Sequence, residues 1–192
     1  MRQVFRRRTT APSSTNKFYI KTTHSGYNKC IEIDSDTGSV LPNCTGYAYG
    51  RFMECQFNTY SCNLSTGDAE NWYAHTIDGY ERGQTPKLGA VICWHSDHSG
   101  GHVAIVERIN NNGTIDTSNS AYSGSRFYMK TLDSANNYYM GSGYTFQGFI
   151  YNPTDFIDPD VPVDNPKRHH FPWQIYSRKL RDKNNNNNWK IY

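Results

Sequence analysis

The sequence predicts an α+β fold, helices first and an antiparallel sheet after them. Three observations carry this. Residues 43–56 read as a capped helix, and a second short helical stretch follows at 68–75. Beyond GQTPKLG the apolar residues change to short runs separated by Asn- and Gly-rich turns. Gly, Asn, Ser and Thr are frequent throughout, and long 3.6-residue periodicity is scarce.

The elements follow in order. Residues 1–17 are polar and basic and read as a flexible N-terminal arm. The ordered chain is expected from Phe18. Pro42 fixes the entry to the first helix, which Asn43 or Thr45 can cap. FNTYSCNLSTGD is a loop, and DAENWYAH gives the second helix, capped by Thr66 or Asp68. AVICW (90–94) is a short apolar strand, and HVAIVERI (102–109) is a longer one. NNNG turns the chain back into TIDTSNSAY (114–122), and RFYMKTL and GYTFQGFIYNP supply two more strands. After Tyr151 the chain turns Pro-rich, then basic, ending in an Asn run. The expected organisation is an arm over 1–17, one ordered domain over 18–152, and an extension over 153–192.

A chain of 192 residues can bury a sizeable core. It has no apolar run of the roughly 18 residues that a membrane span needs. The basic start MRQVFRRR lacks a following apolar region, so no secretory signal is expected. The net charge of +3 is unevenly spread: residues 1–17 carry five Lys and Arg and no acid, whereas 18–150 carry eight against twelve Asp and Glu. Basic ends on an acidic middle suit either contact with an anionic polymer or plain solvation. No nucleic acid partner is expected. The five Cys (30, 44, 55, 62 and 93) are odd in number and form no CxxC pair, so neither a disulfide framework nor a zinc ribbon is required.

Cys44 stands out by position. A thiol at a helix start feels the positive end of the helix dipole and unpaired backbone N–H groups, which favour thiolate. Such a nucleophile needs a base, and the base needs an orienting partner. His102 opens a strand behind Ser-Gly-Gly, and the returning strand brings Asn119 alongside it. An amide can accept the ring N–H and fix the tautomer. The rival is a metal site from His95, His98 and His102 with Cys93 and Asp97. Their spacing is not HExxH and the loop between them is Gly-rich, so no metal is expected and His95 and His98 are read as loop residues over the cleft. IDSDTG (33–38) has the alternating acids of a calcium loop without its closing Glu, and a turn is the preferred reading.

LPNCTGYAYGR, GDAENWY…GQTPKLGAVICW and GHVAIVERINNNGTIDTSNSAY, in this order and spacing, resemble the cysteine, histidine-dependent amidohydrolase/peptidase (CHAP) family. GSGYTFQGFIYNP resembles the last strand of its phage-encoded members. The resemblance spans roughly residues 25–152. It implies a papain-like (NlpC/P60-like) fold with N-terminal helices packed on an antiparallel sheet, and hydrolysis of a peptidoglycan amide bond without a cofactor. It implies Cys44 as nucleophile, His102 as base and Asn119 as orienting residue, where many relatives carry an acid. The backbone N–H of Cys44, with Asn43 as a second donor, is the expected oxyanion site. Tyr47, Trp94 and His98 are candidates to line the groove; for Trp94, as for Trp72, core packing is the stronger reading. The short extension, too small for a typical wall-binding module, suggests docking onto other phage virion proteins, so the expected setting is a phage tail acting on the host wall at entry. A free endolysin in the host cytoplasm, and a structural virion protein with weak or lost catalysis, are the alternatives.

Overall fold

The computed structural model describes residues 2–21, 36–56 and 62–161. Residues 1–159 form one compact unit, and 160–192 fall in a second, of which only Asp160 and Val161 are described.

The first helix forms where the sequence places it, as α1 (Cys44–Cys55). The Asn43 side chain accepts the Gly46 N–H at 3.0 Å and the Thr45 hydroxyl at 2.6 Å, satisfying donors that a helix start leaves orphaned. Gly46 is required by close approach: a Cβ there would lie 2.7 Å from the Val40 side chain. Tyr47, Ala48, Phe52 and Met53 of α1 are fully buried and share one core with Val91, Cys93, Val103, Ile105 and Ile150.

The sheet has six antiparallel strands: β2 (Arg82–Gly83), β3 (Val91–Ser96), β4 (His102–Ile109), β5 (Thr114–Asn119), β6 (Tyr128–Asp133) and β7 (Tyr144–Ile150). Their spatial order is β2-β7-β3-β4-β5-β6. Because side chains alternate along each strand, one face meets α1 and the other buries Ile92, Trp94, Ala104, Val106 and Phe149 against Leu132 and Tyr138. Register sets Trp94 opposite His102 and Tyr128 opposite Asn119.

Two expectations are corrected. The second helix is only a 3-10 turn over Ala69–Asn71. The Glu70 N–H is claimed by the Gly100 carbonyl at 2.8 Å, and buried Trp72 donates its indole N–H to Gly67 O at 2.9 Å, so tertiary bonds override the helical pattern. Nor are residues 2–8 a free arm. β1 (Gln3–Val4) pairs in parallel with β8 (Phe156–Ile157), inside the expected extension, and Phe5 is buried against Phe156. Arg51 clasps buried Glu107 through two bonds of 2.8 Å, and Ser118 Oγ adds a third at 2.6 Å. The backbone N–H of Arg8 donates to the same carboxylate at 2.8 Å, and its guanidinium pairs with Glu54. Arg7 pairs with Asp158 at 2.7 Å. The basic run is therefore the counter-charge of acids distant in sequence.

Candidate active site

Cys44 is the first residue of α1 and is half-buried. Its sulfur lies among the backbone N–H groups of Val103, Thr45 and Cys44 itself, which draw its pKa down against the larger effect of burial, which pushes it up. Val103 follows His102 directly, so the thiol sits against the opening of β4.

His102 is buried, with its Nε2 3.1 Å from Asn119 Oδ1. The assignment of the amide follows from its other bonds: Asn119 Nδ2 donates to the Thr117 carbonyl at 3.1 Å and to its hydroxyl at 3.0 Å, leaving the oxygen to face the ring. An oxygen can only accept, so Nε2 carries the proton and Nδ1 keeps the lone pair a base needs. Trp94 lies at 5.7 Å from the ring and Tyr144 meets it edge-on at 6.4 Å.

Burial holds His102 down to about 4; its bond to Asn119 offsets this in part, and nearby Lys130 adds to it. Together with the raised thiol, this favours an uncharged Cys44 and an uncharged imidazole at neutral pH. The thiolate expected from the helix start is opposed by desolvation.

Other expected positions move. The Asn43 N–H donates to Ser120 Oγ at 3.0 Å and its side-chain oxygen caps α1, so that N–H is engaged away from an oxyanion. Tyr47 and Trp94 are fully buried and belong to the core, although Trp94 still forms the floor under His102. His98 is exposed, and a Cβ on Gly143 would lie 2.9 Å from its ring. His95 stands between Glu70 at 3.3 Å and Asp97 at 3.6 Å. The three His thus turn to different partners, and among the described residues no three His, Cys, Asp or Glu are grouped to hold a metal. Cys30 and the first half of IDSDTG (33–35) lie outside the described residues, whereas 36–38 form a turn. Burial pushes the remaining thiols up, Cys62 to about 11 and Cys55 to about 12.

Two site residues escaped the sequence reading. Tyr128, opposite Asn119 on β6, has its phenol pushed up to about 12 by burial first and then by Cys44 and Tyr144. Ser120 supports the helix start. The alternation of β5 and its pairing with β6 would have pointed to Tyr128, given the register.

A cysteine at a helix start, seated against a strand whose first histidine is oriented by an amide, defines a candidate thiol–imidazole site. Residues 34–121, from ahead of α1 to just past β5, match the family model described as CHAP domain. The chain is 37% identical over 101 residues to "Probable autolysin LDP" of Staphylococcus aureus, covering 51% of this chain and 34% of that protein. It is 32% identical over 117 residues to the N-acetylmuramoyl-L-alanine amidase sle1 of Staphylococcus aureus, covering 59% of this chain and 33% of the amidase. It therefore spans about a third of the length of these relatives. A crystal structure of an N-acetylmuramoyl-L-alanine amidase from Staphylococcus aureus aligns with 62% of this chain and 34% of its own at 27% identity, with a TM-score of 0.43. Among the described residues no helix is long and apolar enough to cross a membrane.

Proposed function

We propose that the chain hydrolyses an amide bond of bacterial peptidoglycan by a thiol mechanism on a papain-like frame. The observation that carries this is the His102–Asn119 bond behind Cys44 at the start of α1. The names of the staphylococcal relatives support the substrate class.

As a carbonyl approaches, Cys44 Sγ forms the bond to carbon while its proton passes to His102 Nδ1. Asn119 steadies the resulting imidazolium through Nε2. The tetrahedral oxyanion is met by backbone N–H groups at the helix start. His102 then protonates the leaving amine, the C–N bond breaks, and a thioester remains. Water, deprotonated by the same ring, releases the acid and restores the thiol.

The setting we favour is a phage virion lysin acting during entry, with residues beyond 160 contacting other tail proteins; this rests on the Pro-rich and basic composition there. Mass spectrometry of purified virions tests it, and a chain found only in the soluble lysate favours a free endolysin.

Clearing of purified peptidoglycan by the intact chain and by Cys44→Ala, each with and without EDTA, tests the chemistry. We expect clearing that ignores the chelator and is lost in the variant, and new termini that identify the bond. Clearing that survives the substitution and stops with EDTA refutes the thiol reading.

A further inference from the structure

We propose that Ser120 and Arg126, on the turn joining β5 to β6, are positioning residues that hold the segment ahead of Cys44 in register with the His102–Asn119 pair. The inference rests on the thiol reading above and adds to it.

Asn119 ends β5 and is fully buried, as is Ser120. Adjacent extended residues point to opposite sides, so one dipeptide serves both halves of the site. Asn119 turns toward the imidazole, while Ser120 Oγ accepts the Asn43 N–H at 3.0 Å. The Ser120 hydroxyl proton is directed at the Ser125 carbonyl, 3.5 Å away, which leaves a lone pair for Asn43. Further along the turn, the Arg126 guanidinium donates to Leu41 O at 3.3 Å and to Ser39 Oγ at 3.0 Å. Residues 39, 41 and 43, the alternate positions leading into the nucleophile, are thus all tied to the same short turn. The turn is itself closed by Ala121 N–H to Ser125 O and Gly124 N–H to Ala121 O, each 2.9 Å.

These tethers act where thiol and base must align. His102 is fixed by the sheet, whereas Cys44 arrives on a helix whose entry segment is an irregular chain. Without the turn, the buried Asn43 N–H would lose its partner and α1 could shift against β4. A displacement of about 1 Å suffices to cost a large factor in rate. Arg126 is half-buried and neither tether belongs to the apolar clusters, so their loss need not unfold the domain.

The test measures kcat and apparent KM for clearing of purified peptidoglycan, with melting midpoints, for the full chain and for Ser120→Ala, Ser120→Thr and Arg126→Gln. We expect Ser120→Ala and Arg126→Gln each to lower kcat about tenfold with KM nearly unchanged, and Ser120→Thr to restore most of the rate. The midpoint of Arg126→Gln should stay near that of the parent, which separates positioning from folding should Ser120→Ala prove unstable. Loss of kcat that merely tracks a falling midpoint, or wild-type kcat in Arg126→Gln, overturns the proposal. Cys44→Ala keeps the two failures apart. If clearing survives it, the thiol reading fails; if clearing needs Cys44 and ignores both tethers, only the positioning role fails.

Discussion

At the scale of single residues, the proposed chemistry depends on a histidine kept neutral by burial. An ordinary imidazole with a pKa near 6.5 would lose most of its base form by pH 5.5, and activity would fall about tenfold. With His102 held down to about 4, clearing at pH 5.5 should stay within about twofold of its value at pH 7. An acid limb centred near 6.5 would contradict the buried base. The same shift sets a stability slope. Between pH 6.5 and 4 the unfolded chain binds a proton that the folded chain refuses, so stability falls as the pH drops through this window, by about 3 kcal/mol in all. Urea midpoints across that range should fall less steeply in His102→Gln. Asn119→Ala should cut kcat by about a hundredfold, because the ring loses the partner that selects its tautomer; Asn119→Asp should retain far more activity.

At the scale of elements, the Asn43 cap and the clasp of Glu107 invite different tests. Asn43→Ala should destabilise the chain by about 1 kcal/mol and fray the turn that carries Cys44. Arg51→Met leaves Glu107 buried without its main counter-charge and should cost about 3–5 kcal/mol, read from denaturant midpoints. The contrast shows what was legible. Pro42, Asn43 and Thr45 are local signals, so α1 could be placed to within a residue, and the apolar run of β4 with the NNNG turn after it carried His102 and Asn119 with them. The turn at 69–71 was misread because the bond between Glu70 N–H and Gly100 O joins residues 30 positions apart. Asn43 was misassigned as an oxyanion donor for a similar reason: its partner Ser120 lies 77 residues on. Neither partner leaves a mark near the residue it binds.

At the scale of the whole molecule, the N-terminal end behaves unlike its composition. A run of Arg is ordinarily a solvated face, but residues 2–8 are paired to Glu54, Glu107 and Asp158 and seal Phe5 into the fold. Deleting them should lower the melting midpoint by about 6–12 °C, from a loss of about 3 kcal/mol in a domain of this size. A chain ending at residue 161 retains every strand and apolar cluster found among the described residues and should instead keep the parent's midpoint. It should also clear purified peptidoglycan at the parent's rate. Comparing the two truncations by calorimetry separates an end that belongs to the fold from one that lies in the second unit.

The proposed mechanism passes through an acyl thioester on Cys44, which can be trapped. A reaction with soluble peptidoglycan fragments, quenched in acid and mapped by peptide mass spectrometry, should show an acyl adduct on Cys44 that hydroxylamine removes. Cys44→Ala should show neither adduct nor turnover. Turnover in that variant, or an adduct at another residue, would contradict the account.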